Sequence, residues 1–199
     1  MKEVEKSGEI IDPSDPENAK TLIRTVLSLL IRYISKMKGY KRTTPLVSPP
    51  PLDVILTWLG AFLGITAIAL FAQQYTLPVV ASFGASAVLI YGVPDAPLSQ
   101  PRNVIFGHIL SASVGVATVM MFGLTWWSPA FGTALALAVM LLTKTTHPPG
   151  GATALFAVLS KAHPSYILTP IAAGAVILVI VGLLVNNLSP NRQYPRYWY

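Results

Sequence analysis

Lys144-Thr145-Thr146-His147-Pro148-Pro149-Gly150-Gly151-Ala152-Thr153-Ala154-Leu155 lies between two apolar segments of a 199-residue chain. Two prolines followed at once by two glycines forbid a continuous helix through this point. A break inside lipid exposes backbone groups that have no water to bond, so the stretch is expected inside protein or along a wet cavity. A helix beginning at Gly150 and Gly151 offers free amides and the positive end of its dipole, and Thr153 adds a hydroxyl. Such a terminus favours an anion.

The surrounding composition makes lipid the solvent. Hydrophobic residues make up 53% of the chain and charged residues 11%, and mean hydropathy is +0.58; a soluble domain carries about 25% charged residues. Lys20, Arg24, Arg32, Lys36, Lys38, Lys41 and Arg42 precede the first long apolar run, whereas residues 43 to 91 hold one ionisable acid or base, Asp53. The net charge of +6 is therefore read as positive-inside topology and attraction to anionic lipid, with no nucleic-acid partner. With no cysteine, disulfides, zinc thiolates and iron–sulfur clusters are excluded. No cleavable leader is visible, and the N-terminus is expected to be retained.

Asp15-Pro16-Glu17 has the residues of a helix start. From there Leu22, Ile23, Val26, Leu27, Leu30, Ile34 and Met37 recur at helical spacing opposite Lys20, Arg24, Arg32 and Lys36. This predicts a basic amphipathic helix, on the membrane surface or packed on the rest of the protein. Gly39 ends it, and Pro45 to Pro51 lead into the membrane. The predicted organisation is a cytoplasmic region, 1–44, and a membrane domain, 45–199.

Six apolar segments follow: Val54 to Ala72, Pro78 to Val93, Val104 to Leu124, Ala130 to Leu142, Gly150 to Leu159 and Ile167 to Leu188. A crossing needs roughly 20 helical residues, so the fifth is too short to span alone. Gly84-Ala85-Ser86-Ala87-Val88-Leu89 recurs as Gly151-Ala152-Thr153-Ala154-Leu155-Phe156, each copy between longer segments. The expected fold is all-α: a polytopic helical bundle of two repeats, long helix, short glycine-led helix, long helix, inverted if all six segments cross. Both ends of the membrane domain then share one face with Arg102 and Lys144, and Lys161 lies on the other. A re-entrant fifth segment would place Lys161 differently.

By duplication, Ser82, Gly84 and Ser86 form a second glycine-led start facing Gly150, Gly151 and Thr153. His147 precedes the break and titrates near neutral pH. His108 is a costly polar group within an apolar segment; either imidazole is equally readable as a structural hydrogen-bond donor. Arg102 suits a pore mouth or a snorkelling anchor. Asn103 and Asn186-Asn187 read as caps or as partners for unwound backbone. No hydrolase, phosphate-loop or dinucleotide motif is present, so neither a catalytic residue nor a cofactor or metal site is assigned.

Several motifs together resemble the HPP family of integral membrane proteins. They are His147-Pro148-Pro149; Pro49-Pro50-Pro51 with Trp58 and Gly60; Ser82 to Ala87; Gln100-Pro101-Arg102-Asn103 with Gly107-His108; and Tyr194-Pro195-Arg196-Tyr197-Trp198. The resemblance implies a small membrane transporter, its cyanobacterial and plastid members being associated with nitrite, and hence a bacterial inner membrane with the N-terminus cytoplasmic. The residues themselves support a small anion. Small residues on several helices suggest a homo-oligomer. The competing expectation is a membrane sensor or scaffold whose N-terminal helix engages a partner.

Overall fold

The structure, a computed structural model, describes residues 16–37, 48–76, 78 and 80–198. The chain forms two units, Met1–Ser48 and Pro49–Tyr199. In the first, α1 is Pro16–Met37, with Glu17 in its first turn and Lys36 in its last, placements that suit the helix dipole. Lys20 Nζ lies 2.9 Å from Glu17 Oε1, one turn away. The predicted cap Asp15 and terminator Gly39, and the stretch 45–47, lie outside the described residues.

The regular elements among the described residues of the second unit are all helical. It comprises α2 (Pro51–Gln74), α3 (Ser82–Ala87) running into a π-turn (Val88–Gly92), a 3-10 turn (Pro97–Ser99), and α4 (Pro101–Phe122). Then come α5 (Ser128–Leu142), α6 (Pro149–Leu159), a second 3-10 turn (Pro164–Ile167), a second π-turn (Leu168–Ala172) and α7 (Ala173–Asn186). Proline occupies the first turn of α2, α4, α5 and α6, where its missing amide costs nothing. Among the described residues three helical stretches are long and apolar enough to cross a membrane: Pro51–Gln74, Pro101–Phe122 and Pro164–Asn186. The sixth apolar segment is thus a composite, its start wound as 3-10 and π turns.

Sidedness follows from what meets at each end. Pro49, Asp53, Gly92 to Ala96, Asn191 and Arg192 line one cavity of about 480 Å³. Val119, Gly123, Leu124, Lys161 and His163 line another of about 500 Å³. Arg102 Nη2 donates to Thr143 O at 3.1 Å, which sets the end of α5 beside the start of α4. Lys161 therefore lies at the opposite end of α4 from Arg102. α6, at eleven residues, and α3 with the five-residue π-turn that follows it are each short of a full crossing.

The close packing has a numerical regularity. The shift that carries Gly84 onto Gly151 also carries Ser86 onto Thr153, Pro97 onto Pro164, Gly107 onto Gly174 and Gly115 onto Gly182. Contacts exchange under it as well. Gly150 sits against Gly107, and their images Phe83 and Gly174 also touch; Gly115 sits against Ala157, and their images Gly182 and Ile90 touch. Both 3-10 turns open on the paired prolines. α4 packs on α5 and α6, as α7 packs on α2 and α3. Such exchanges are what a two-fold relation between two copied units would produce.

Candidate functional site

The two short helices meet. Thr153 of α6 lies with its Oγ1 2.9 Å from Ser82 Oγ of α3, and Ser86 Oγ, one turn further along α3, is 2.9 Å from His147 Nε2. His108 enters from α4 between them, with Nε2 2.7 Å from Ser86 Oγ and Nδ1 2.8 Å from Thr153 Oγ1. The two imidazole rings stand edge to face with centroids 4.9 Å apart. Ser82, Ser86, His108, His147 and Thr153 are all buried, none above 2% exposed.

Glycines make this approach possible. A Cβ at Gly107 would fall 2.6 Å from His147 Cβ and 2.9 Å from Thr145 O, so only a glycine on α4 admits the non-helical chain before α6. Asn103, one turn earlier, donates from Nδ2 to Thr146 O at 2.9 Å. Asn186 does the same on the other side, donating to Ile90 O in the first π-turn at 3.0 Å. Both asparagines thus serve unwound backbone, as irregular chain away from water requires.

The hydrogen-bond inventory fixes the protons. His147 Nδ1 is 2.8 Å from Leu98 O, and a carbonyl can only accept, so that nitrogen carries hydrogen. In the neutral ring Nε2 is then a lone pair, and the Ser86 hydroxyl donates to it. Having used its one proton, Ser86 accepts from His108 Nε2, which leaves His108 Nδ1 to accept from Thr153. The result is a one-way chain, Thr153 to His108 to Ser86 to His147 to Leu98, with no net charge; it spends the single Thr153 proton on His108, in place of the 2.9 Å donation to Ser82 Oγ. The opposite polarity would set two lone pairs against each other at Ser86 or require charged rings in the interior, an expensive alternative.

The expected free amides are not free. Gly150 N donates to His147 O at 2.8 Å and Gly151 N to Pro148 O at 3.0 Å; Phe83 N and Gly84 N bond Val80 O and Ala81 O. The turn before each short helix closes its first amides, so the polar groups of the site are side chains. Of the nine residues expected there, Ser82, Ser86, His108, His147 and Thr153 come together. Gly150 packs on Gly107 and Ser111, while Gly84 is open on its outer face. Gly151 lines a largely apolar lateral cavity of about 700 Å³ with Thr133, Met140 and Leu155. Arg102 is held at the bundle end by Thr143.

A second polar cluster went unassigned in the sequence. Arg192 and Asp53 form an ion pair, Nε to Oδ1 3.6 Å, with side chains 8% and 7% exposed. Arg192 also donates to Tyr91 O at 2.9 Å, Asp53 O at 2.8 Å and Thr57 Oγ1 at 2.9 Å. Asp53 is the one acid between residues 43 and 91, so charge balance was a usable signal for a basic partner. The tail beyond it grips the loop that supplies Leu98. Tyr194 Oη donates to Ser99 O at 3.0 Å, and Arg196 N donates to Gln100 Oε1 at 2.8 Å.

Residues 47–195 match the family model for the HPP transmembrane region. Two transmembrane proteins of Dictyostelium discoideum are similar to this chain. One is 38% identical over 200 residues, covering 93% of this chain and 69% of its own length. The other is 37% identical over 191 residues, covering 89% of this chain, which spans 61% of that protein's length. Neither speaks for a bacterial membrane. No solved structure matches the chain. The match over most of its length, with the motif His147-Pro148-Pro149 placed at the junction of the two short helices, establishes that the chain is a member of the HPP transmembrane family.

Proposed function

We propose that this domain moves a small inorganic anion across the bilayer, nitrite by family resemblance, through the point where α3 and α6 meet. The observation that carries the reading is the buried His108–Ser86–His147 cluster at the junction of two interrupted crossings. Polar side chains inside a membrane protein are costly and mark solute or ion pathways. Paired half-helices meeting between inverted repeats are where secondary transporters bind their substrates. The residue exchanges between the two halves support a duplicated, inverted unit. Ser86 and Thr153, equivalent under it, flank the same imidazole.

In this reading the end carrying Arg102, Lys144, Arg192 and Arg196 faces the cytoplasm, by the excess of basic residues there over Lys161 at the other end. Self-association would have to use other surfaces than the tightest glycines. Tyr91 fills the grooves at Gly60 and Gly64, and Ala154 and Ala157 fill the one at Gly115.

Reconstituted full-length protein is expected to take up nitrite, with nitrate, formate and chloride competing to different degrees. Ser86→Ala and His108→Phe are expected to lower the flux at least about tenfold, since each strands a buried partner at a cost of about 1–3 kcal/mol. A folded protein that passes none of these anions would defeat the proposal.

A further inference from the structure

We infer that the cluster takes an anion only together with a proton, and that the proton resides on His147 Nε2. This rests on the anion reading above and specifies its coupling.

Charge balance gives the first step. The side chains converging on Ser86 Oγ are two imidazoles, and the neutral arrangement commits the one ring proton of each and the Ser86 hydroxyl proton. α3 contributes Ser82 and Ser86 and α6 contributes Thr153, none of which carries charge. The second 3-10 turn contributes the Tyr166 hydroxyl, which donates to Thr153 O at 3.4 Å. α7 and the π-turn before it contain no ionisable residue. On α4, Arg102 is turned to Thr143 O. In the loop before α4, the Asp95 carboxylate is paired with Arg196 at 2.6 Å. Lys144 is exposed, and Arg192 is committed to Asp53. Among the described residues a monovalent anion seated here therefore meets no standing positive charge, and an unpaired buried charge is strongly unfavourable.

Geometry decides where the compensating proton goes. His108 has its free lone pair at Nδ1, aimed at Thr153, so protonation there would add no donor on the Ser86 side. His147 has its lone pair at Nε2, aimed at Ser86 Oγ, the same point toward which His108 Nε2–H already projects. Protonating His147 Nε2 makes both rings donors to one position. The Ser86 hydroxyl then loses its acceptor but has another within reach, Ser82 O at 3.1 Å. Turning the Ser86 side chain out from between the rings, where Oγ lies 2.7 and 2.9 Å from the two Nε2 atoms, opens that space, and an anion oxygen there accepts both N–H groups. The step balances: one proton from water and one monovalent anion enter, no bond to carbon or nitrogen is made or broken, and the site stays neutral overall. Leu98 O keeps Nδ1 of the imidazolium bonded throughout.

The test is proton uptake on binding, measured with purified full-length protein in detergent and weak buffer near neutral pH, with sodium nitrite as the probe and sodium formate as a second anion. The expected result is one proton taken up per anion bound. It should appear equally as a buffer-dependent binding heat in two buffers of different ionisation enthalpy. His147→Gln, which offers an amide of similar reach but no titratable nitrogen, is expected to abolish the uptake while His163→Gln leaves it unchanged. Anion binding without proton uptake overturns the inference and leaves the anion reading standing. Uptake that persists in His147→Gln overturns the placement of the proton. If neither nitrite nor formate binds to folded protein, the anion reading and this inference fall together.

Discussion

Arg192→Met is expected to destabilise the folded protein by about 3–5 kcal/mol, the cost of stranding one member of a buried ion pair. The side chain donates to two main-chain carbonyls, Tyr91 O and Asp53 O, and to Thr57 Oγ1. Methionine satisfies none of these and leaves the Asp53 carboxylate with Ser189 as its remaining hydroxyl partner. Asp53→Asn/Arg192→Met is expected to be milder than Arg192→Met alone, because the stranded charge is gone although the lost donors are not restored. Unfolding midpoints in a single detergent for the four proteins of the cycle measure this. A double variant as unstable as the sum of the single ones would show that the two residues act independently. The pair closes the end of the bundle at which α2, the first π-turn and the tail converge, so failure there should also loosen the loop that presents Leu98 to His147.

That coupling was the part of the molecule least legible in the sequence. Asp53 and Arg192 are individually unremarkable: one stands at the head of an apolar segment, the other in a tail. Only the fold joins them. The segments themselves were readable because lipid imposes a length and a composition, and because Pro148, Pro149, Gly150 and Gly151 make a break that chemistry cannot bridge. The meeting of the two short helices was readable from six residues of internal likeness, which put Ser86 and Thr153 in equivalent places. The state of their amides was not. A glycine-led start suggests bare N–H groups, but whether the preceding turn bends back to bond them depends on dihedral angles after Pro148 that composition does not specify. Arg102 stands at a segment end, as its reading as a mouth or anchoring residue had it. It lies on the same helix as His108, yet the register of α4 carries its side chain to the bundle end, where Thr143 O receives it.

The wider glycine spacing was also present in the sequence, but glycines at matching intervals are too common to argue from until contacts single them out. Once they do, the two positions Gly115 and Gly182 make unequal demands, which yields a sharp expectation. At Gly115 an added Cβ would stand 2.6 Å from Ala154 O, 2.7 Å from Ala157 Cβ and 3.0 Å from Ala154 Cα. Two of these atoms are backbone and the third is fixed to it, so α4 and α6 must separate to admit a methyl group. At Gly182, its image, the new Cβ would stand 2.7 Å from Ile90 Cγ2 and 3.0 Å from Tyr194 Cε1. Both are side-chain atoms, and a small rotation of Ile90 relieves the closer one. Gly115→Ala is therefore expected to cost about 3 kcal/mol, the upper end for overpacking, and Gly182→Ala about 1 kcal/mol. Each figure is partly offset by the better helix propensity of alanine, worth up to about 1 kcal/mol. Thermal unfolding of the two variants side by side should show Gly115→Ala the less stable. Because α6 carries Thr153 to His108, Gly115→Ala should also depress anion flux, whereas Gly182→Ala should spare it. Equal losses at the two positions would mean that α4 and α6 yield as readily as a side chain, and that the contact between them does not hold the central cluster in place.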